Sequence, residues 1–299
     1  MKWKKLGNIF NLEKKNSKMW SHTANPTILF LDKDTLRIFY SVRDKEGKSN
    51  LSYFDYSMKD LECIKCSTNI SLEYGKIGEI DESGIGAGNI INIEGKEYIY
   101  YMAWQNENKA HWRGDIARAK LDKKREYFEK DRTFKFSIAK DIDKVSLSYP
   151  FLLKKENKYY MWYGSTITWD YGNGEMLHII NVAESDDGKE FYNRKQALKY
   201  KIGEYQAFSR PSVIYYKDKW RMWFSYRGNG DLYKIGYAES DDMDNWEIIE
   251  SGINISNKGW DSEMVCYPYV FEYKDKLYML YNGNGYGKTG IGLAILEEE

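Results

Sequence analysis

Several features are scarce in this 299-residue chain, and each absence excludes a class of protein. Basic and acidic residues number 45 each, so the net charge is zero and nothing favours a nucleic-acid or anionic-membrane partner. No apolar run approaches the ~18 residues that a membrane-spanning helix needs. The basic start, MKWKKLGNIFNLEKK, lacks the continuous apolar core of a secretory signal. We therefore expect a cytoplasmic protein without membrane insertion, and the sequence does not specify its oligomeric state.

Cysteine is also rare, and its three copies are too few for a disulfide framework. Cys63 and Cys66 form a C-x-x-C pair within DLECIKCSTNI, a segment whose composition predicts a strand. Residues three apart on a strand point to opposite faces, and the chain has no second pair to complete a zinc site. We therefore predict no redox pair, no metal and no cofactor.

Proline occurs four times, always at the same point of an internal repeat: Pro26, Pro150, Pro211 and Pro268. The copies include SYPFLLKKENKYYMWYGS, SRPSVIYYKDKWRMWFSY and CYPYVFEYKDKLYMLYNG, and a further copy carries Gly88 in place of proline. The repeat origins lie at 26, 88, 150, 211 and 268, with steps of 62, 62, 61 and 57 residues. Five copies that fill the whole chain predict one domain, residues 1–299, built from repeated units.

Each repeat has the pattern of four strands, which we call a, b, c and d. Strand a is predicted to start at the proline, strand b is the following aromatic run, and strand c is a small-residue run such as INVAES or IGYAES. Four antiparallel strands repeated five times without intervening helices predict an all-β fold, a five-bladed β-propeller. The last repeat lacks strand d, but WKKLGNIF from Trp3 matches the spacing of WEIIESGI from Trp246. Residues 3–10 are therefore predicted to complete the last blade and close the ring.

An acidic residue stands seven positions before four of the five repeat origins, and the first repeat carries Met19 there. These acids are Asp81, Asp143, Glu204 and Asp261. In the predicted propeller the a strands line a central channel. Carboxylates crowded at one end of this channel would differ in pKa, as a general acid and a base or nucleophile require. Alternatively, an acid at a fixed repeat position caps a turn, and Asp143, in KDIDKV, has the most solvated surroundings. The predicted catalytic candidates are Asp81, Glu82, Glu204, Asp261 and Glu263.

Polar, basic and aromatic residues are concentrated near the ends of strands a and b, on one predicted rim of the channel. Aromatic faces stack on sugar rings, whereas Arg, Asp, Asn and His side chains bind their hydroxyl groups. The same cations could hold a phosphate. The predicted substrate-binding residues are His22, Asn25, Arg43, Asp44, Trp104, His111, Arg113, Trp169, Asp170, His178, Arg210 and Arg227. The same loops carry Trp112, Asp231, Lys234, Asn282 and Asn284.

The chain resembles the five-bladed propellers of glycoside hydrolase families 43, 32 and 130 over all five repeats. The resemblance rests on the strand-opening proline, the YMWYG-like strand b, and the tails VAESDDG and IGYAESDD. The first repeat, ANPTI followed by YSVRDKEGKS, is most similar to family 130, whose members cleave or phosphorolyse mannosides. There Arg43 and Asp44 match a sugar-binding element. The resemblance implies a propeller fold and a carbohydrate ligand.

One departure from these families concerns the acid that directly precedes the proline in families 43 and 32. In this chain the equivalent residues are Asn25, Ala87, Tyr149, Arg210 and Tyr267, none of which is acidic. Three functions remain open. The leading one is an enzyme that cleaves or transfers a glycosidic bond with two carboxylates, as glycoside hydrolases, phosphorylases or the transferases of polysaccharide metabolism do. The others are a non-catalytic propeller that binds a sugar or nucleotide sugar, and a protein-interaction scaffold.

Overall fold

The computed structural model describes residues 1–13, 15–106 and 111–298, which are almost entirely β-structure. In these ranges there are twenty strands and one four-residue helix, α1 (Asn284–Gly287). The strands are β1 (Lys2–Phe10), β2 (Ser21–Phe30), β3 (Thr35–Arg43), β4 (Ser49–Ser57), β5 (Glu62–Cys66), β6 (Gly84–Ile93), β7 (Lys96–Gln105), β8 (Arg113–Leu121), β9 (Phe128–Lys130), β10 (Ser146–Lys155), β11 (Lys158–Thr168), β12 (Leu177–Ser185), β13 (Tyr192–Gln196), β14 (Ala207–Tyr216), β15 (Lys219–Arg227), β16 (Lys234–Ser240), β17 (Glu247–Ile249), β18 (Cys266–Tyr273), β19 (Lys276–Asn282) and β20 (Ile291–Glu298). The all-β class predicted from the repeat is confirmed. None of the helical structure in the described ranges is long and apolar enough to cross a membrane.

The strands pair in antiparallel groups of four, one for each sequence repeat. Group 1 is β2–β5, group 2 is β6–β9, group 3 is β10–β13, group 4 is β14–β17, and group 5 is β18, β19, β20 and β1. The first strands contact one another in sequence, β2 with β6, β6 with β10, β10 with β14, β14 with β18, and β18 with β2. Residues on these first strands are therefore brought to one place from all parts of the chain.

The N-terminal strand takes the fourth position in group 5. Trp3 is the partner of Leu296 and Lys4 the partner of Ile295 in an antiparallel pairing of β1 with β20. The Trp3 side chain is buried and meets Trp223 of group 4 edge-on, with the ring centroids 5.7 Å apart. The ends of the chain are thus joined by backbone hydrogen bonds and by apolar packing.

The prolines lie inside the first strands, so the prediction that strand a starts at the proline is wrong. Strand β10 begins at Ser146, and its register with β11 shifts between Ser148 and Phe151, around Pro150. Similar shifts occur in the other first strands. Proline is tolerated there because a bulged residue need not donate a ladder hydrogen bond. The residues before the prolines all have positive φ, at Asn25 (54°), Tyr149 (35°), Arg210 (49°) and Tyr267 (54°).

The geometry predicted for the cysteine pair is also wrong. The register of β5 against β4 shifts between Asp55 and Tyr56, which leaves Ile64 without a partner. This bulge turns Cys63 and Cys66 to the same side, and their Sγ atoms are 3.0 Å apart as a hydrogen-bonded thiol pair. Partial burial and the hydrogen bond to Cys66 raise the pKa of the Cys63 thiol to about 12. The rule of opposite faces fails here because it holds for a regular strand only.

Candidate functional site

A cavity of about 280 Å³ opens among the first strands and the loops that follow the second strands. All five groups contribute to it. Its described lining consists of His22, Ala24, Asn25, Ser41, Arg43, Ser49, Ile85, Gly86, Met102, Trp104, Trp112, Ser148, Tyr149, Met176, His178, Ser209, Arg227, Tyr233, Tyr267 and Tyr286. Six of the predicted binding residues are therefore brought together: His22, Asn25, Arg43, Trp104, His178 and Arg227.

The bulges at the prolines supply one side of the cavity. Asn25, Tyr149 and Tyr267 each directly precede a proline, and all three line the cavity. A bulge re-aims the side chain beside it, which explains why this position faces the centre in several groups. The Asn25 backbone N–H donates to Asn282 Oδ1 at 2.9 Å, whereas Asn25 Oδ1 is buried and accepts no hydrogen bond within the described part of the chain. That oxygen is available to a ligand hydroxyl.

Arg210 occupies the same pre-proline position in group 4 but does not line the cavity. Its side chain is buried, and its Nη atoms donate to the carbonyl oxygens of Ala87 and Pro26 on two other first strands. Burial lowers the pKa of its guanidinium to about 10. This predicted binding residue therefore crosslinks the centre of the fold.

The cavity wall is aromatic. Trp104 is half-buried, and its Nε1 donates to Ser49 Oγ at 3.0 Å, which fixes the orientation of the indole. Tyr233, Tyr267 and Tyr286 lie against one another with ring centroids 6.0 to 6.4 Å apart. Rigid aromatic faces of this kind offer apolar area to one face of a sugar ring at low entropic cost.

Positive charge enters the cavity on two arginines. Arg227 Nη2 donates to the buried Glu175 at 3.1 Å, and the Arg227 guanidinium lies 5.0 Å from the centre of the Tyr233 ring. Arg43, at the end of β3, is exposed and forms no ion pair with any residue in the described ranges. Burial, and then the charges of Arg43 and Lys288, lower the pKa of His22 to about 4. His22 is thus neutral at pH 7.

His178 is held in a closed hydrogen-bond network. Its Nε2 lies 2.7 Å from Ser148 Oγ and its Nδ1 lies 2.7 Å from Thr166 Oγ1. Burial, with a smaller contribution from Arg227, lowers the pKa of His178 to about 3. A neutral imidazole with both nitrogens occupied orients its neighbours and is not a proton donor at neutral pH.

Two predicted binding residues, Asp44 and Asp170, shape turns. Asp44 Oδ1 accepts the backbone N–H groups of Glu46 and Lys48 at 3.0 and 2.9 Å. In the same way, Asp170 Oδ1 accepts the N–H groups of two glycines, at 2.7 and 3.0 Å. Short acidic side chains stabilise turns through such bonds, so neither residue lines the cavity.

Three further predicted binding residues lie outside the cavity lining: His111, Arg113 and Trp169. His111 stacks on Trp169 with ring centroids 4.7 Å apart, and Trp169 meets the cavity-lining Trp112 edge-on at 4.9 Å. Arg113 lies 3.7 Å from Asp115. The aromatic pair therefore supports Trp112 from outside, because it packs against the back of the cavity wall.

Three of the repeat-position acids occupy one recurring arrangement in the flanks of their groups, which we call the flank acids. Each accepts a hydrogen bond from a tyrosine twenty residues later and an ion pair from a cation on the fourth strand. The flank acids with their partners are Asp81 with Tyr101 (3.3 Å) and Lys130 (2.6 Å), Asp143 with Tyr163 (3.3 Å) and Arg194 (2.9 Å), and Asp261 with Tyr281 (3.1 Å) and Lys5 (2.7 Å). All three carboxylates are buried. They tie the second strand to the fourth.

The charged neighbours of Asp143 in the sequence predict a solvated side chain, but the structure buries it. Ser165 and Asn181 also donate to its carboxylate, at 2.8 and 3.1 Å, and the residue is fully buried. In groups 1 and 4 the arrangement is missing: Met19 and the exposed Glu204 precede Phe39 and Phe224, which have no hydroxyl. The tyrosine and the buried aspartate thus occur together or not at all.

The predicted catalytic placement is not supported by these contacts. Glu204 is exposed and pairs with Lys201, and Glu263 is exposed beside Asn284. Glu82 accepts the backbone N–H of Gly78 at 2.5 Å, which is a turn contact. Among the described residues that line the cavity there is no aspartate or glutamate. The described ranges also hold no cluster of three His, Cys, Asp or Glu side chains arranged for a metal ion.

Sequence reasoning missed Tyr233 and Met176, which lie on loops, Tyr286 of the short helix α1, and the buried Glu175. It named Tyr149 and Tyr267 only as replacements for an acid. A signal for these two was present, because the position before the proline was already marked by the repeat. No comparable signal marks Glu175, which meets Arg227 from a loop 52 residues earlier in the chain.

No protein-family model matches the chain. It is similar to two proteins of Mycobacterium tuberculosis, "Uncharacterized protein MT1551" of strain CDC 1551 / Oshkosh and "Uncharacterized protein Rv1502" of strain H37Rv. Each is 32% identical over 302 residues, which covers 99% of this chain and 100% of the relative.

Solved glycoside hydrolases share the fold. One, described as "Glycoside hydrolase", superposes with a TM-score of 0.76 and 16% identity over 99% of this chain and 93% of its own. A thermostable family-43 glycoside hydrolase has a TM-score of 0.68 and 18% identity, over 94% and 92% of the two chains. The endo-arabinase of Bacteroides thetaiotaomicron superposes with a TM-score of 0.69 and 14% identity, over 95% of this chain and 99% of its own. The predicted resemblance to glycosidase-like propellers is confirmed for the fold.

Proposed function

This chain belongs to the family of the two mycobacterial proteins, and we propose that it is a carbohydrate-binding propeller that holds a sugar in its central cavity. The observation that carries the proposal is the lining of that cavity. Trp104, Tyr149 and Tyr267 offer flat apolar faces, and Asn25 offers a buried oxygen without a partner in the described ranges. Sugar rings have one apolar face and a belt of hydroxyl groups, which this combination matches. The fold shared with glycoside hydrolases also supports a carbohydrate ligand.

The same lining favours binding over two-carboxylate hydrolysis. That reaction needs two carboxyl groups about 5–10 Å apart on either side of the glycosidic bond. Within the described lining no side chain carries a carboxylate, and Asp81 and Asp261 are held in ion pairs within their own groups. A bound sugar would meet hydrogen-bond donors, aromatic rings and cations there.

A second candidate function is glycosyl transfer or cleavage with Glu175 as the reactive carboxylate. Glu175 is buried next to the cavity-lining Met176, and it is 3.1 Å from Arg227, which also lines the cavity. A single carboxylate could act as a general acid or base if the leaving group of the bound sugar departs without help from a second carboxylate. Glu175→Gln keeps the shape of the side chain and removes this chemistry.

We also propose that the five groups are the blades of a closed five-bladed propeller, in one domain. The cyclic contacts of the first strands and the pairing of β1 with β20 support this proposal. Closure would remove an exposed sheet edge. It would also make the cavity a fixed frame to which all five blades contribute.

The test is a binding titration with a panel of monosaccharides and oligosaccharides, followed by long incubation and product analysis. We expect binding without turnover, and Trp104→Ala should weaken it by about tenfold, since a stacked aromatic ring contributes about 1–2 kcal/mol. The matched control is Trp20→Ala, because Trp20 is 43% exposed and does not line the cavity. Turnover that disappears in Glu175→Gln would establish the second candidate. Failure to bind any glycan, with capture of one stable protein partner, would overturn both in favour of an interaction scaffold.

A further inference from the structure

We propose that the sugar bound in the cavity carries an anionic group, a phosphate or a carboxylate, and that Arg43 and Arg227 hold that group. This inference rests on the proposed carbohydrate-binding function and specifies its ligand class. Both anions have several oxygen atoms that accept hydrogen bonds from a guanidinium. These oxygens lie in a plane in a carboxylate and are arranged tetrahedrally in a phosphate.

The first observation is the charge of the described cavity lining, which includes two arginines and no acidic side chain. Arg43 has no ion-pair partner in residues 1–13, 15–106 and 111–298, although it stands on a protein with as many acids as bases. A cationic side chain that lines a cavity and has no acidic partner can bind a ligand anion. The attraction between the two charges is stronger in a cavity than on an open surface.

The second observation is an unused donor on Arg227. Its Nη2 donates to Glu175 and its Nη1 lies 3.4 Å from the Tyr286 hydroxyl, so the guanidinium is fixed in place. Its Nε is buried and has no hydrogen-bond partner in the described ranges. A buried donor without an acceptor costs stability, and a ligand oxygen would satisfy it. Glu175 compensates part of the charge of Arg227, which leaves Arg43 as the stronger attraction.

A third observation comes from the neighbourhood of His22, which also lines the cavity. Its pKa is lowered to about 4 by burial first and then by the charges of Arg43 and Lys288. The effect of two separate cations on one cavity-lining group indicates that the electrostatic potential there is positive. Lys288 follows the short helix α1 and extends this field from group 5.

The experiment is a calorimetric titration with matched probes: glucose, mannose and galactose, their 1-phosphates, the corresponding hexuronates, and inorganic phosphate. We expect at least one anionic sugar to bind about tenfold or more tightly than its neutral parent, because charge-assisted hydrogen bonds are about twice as strong as neutral ones. The preference should shrink as the ionic strength rises. A higher affinity for the sugar phosphates would identify the anionic group as a phosphate, and a higher affinity for the hexuronates would identify it as a carboxylate.

Two variants make the result specific. Arg43→Gln should weaken binding of the anionic sugar about tenfold more than binding of its neutral parent, and Arg43→Lys should retain part of the preference. Because Arg43 is exposed, neither change should alter the thermal unfolding curve. Arg113→Gln is the matched control, an exposed arginine outside the cavity lining.

Two outcomes would overturn this inference alone: equal affinity for neutral and anionic sugars, or an anionic preference that is as large in Arg43→Gln as in the unchanged protein. Absence of binding by every sugar, with or without binding of inorganic phosphate, would instead overturn the carbohydrate-binding function.

Discussion

Carboxylates and cations are distributed differently in the flanks of the five groups and in the central cavity. In the flanks, three buried aspartates are each matched by a lysine or arginine and a tyrosine. The described cavity lining holds two arginines and no aspartate or glutamate, and only Arg227 is paired, with Glu175 outside the lining. The flank acids recur at one repeat position, whereas the residue at the pre-proline position varies among the groups: Asn25, Ala87, Tyr149, Arg210 and Tyr267.

This difference shows how a repeat protein separates its fold from its site. Each group needs similar contacts to hold its own strands together, so structural residues recur with the period of the sequence. A single asymmetric ligand at the centre needs a different side chain from each group. In this chain, residues that repeat are therefore structural, and residues that vary at a repeated position are the better candidates for binding.

Removing residues 1–10 should have the largest effect. The deletion removes β1, exposes the edge of β20, and takes away both Trp3 from the core and Lys5 from Asp261. We expect loss of cooperative unfolding, measured by circular dichroism during denaturation. Lys4→Gln is the control, since Lys4 is exposed and its ion pair is 3.7 Å long. A truncated chain that melts like the full one would contradict the ring closure.

Asp143→Asn should cost about 3 kcal/mol of unfolding free energy, because it leaves Arg194 without its buried partner. Glu204→Gln, at the same repeat position in group 4, should change it by less than about 0.5 kcal/mol, since Glu204 is exposed. Urea denaturation measures both. Neither variant should change ligand affinity, and a specific loss of binding in folded Asp143→Asn would give the flank acids a functional role.

The free energy of unfolding should decrease as the pH is lowered, because of His178 in the cavity wall. Its pKa in the folded protein is lowered to about 3 from 6.5, so the unfolded chain takes up the proton first as the pH falls. The contribution is complete above about pH 6.5 and is lost progressively toward pH 3; at pH 5 the loss is about 2 kcal/mol. His22, whose pKa is also lowered, adds in the same direction.

This pH dependence is measured by urea denaturation at pH 7.5 and pH 5. His111→Gln is the control, because His111 is exposed and should leave the slope unchanged. A stability that is flat between the two pH values would show that the pKa of His178 is the same in the folded and in the unfolded protein.

The smallest effect is expected at Cys63 and Cys66, which belong to neither region. Oxidised glutathione should convert the thiol pair into a disulfide with release of two reduced glutathione molecules, because the Sγ atoms already lie 3.0 Å apart. The pKa of Cys63 is raised to about 12, so the rate should increase steeply with pH. Mass spectrometry and thiol counting measure the reaction. The matched control is the buried Cys266, which should stay reduced, and ligand affinity should not change.

Much of the fold was predictable because the sequence repeat carries it. The aromatic second strands and the small-residue third strands are local patterns, and they predicted the antiparallel order within each group. The match of residues 3–10 to the missing strand was visible for the same reason. The bulges were not predicted, because a proline is compatible both with the start of a strand and with a bulge inside it.

The candidate site was predictable only in part. His22, Arg43, Trp104 and Arg227 were found because they stand at or next to the ends of strands near one rim. The contacts of the flank acids were not predicted, because the sequence does not show that Asp81 lies beside Lys130 or Asp143 beside Arg194. A carboxylate takes its role from its partners, and these partners lie about fifty residues further along the chain.

The sequence by itself determined the all-β class, the unit of four strands and the position at which each unit differs from the others. These properties are periodic and local, so they are written along the chain. Only the tertiary structure decided which side chains face the cavity. Bulges turn Tyr149 and Tyr267 inward, Arg210 bridges three first strands, and Lys5 reaches Asp261 across 256 residues. Contacts between distant residues depend on how the units pack around the centre, and no local pattern along the chain records that packing.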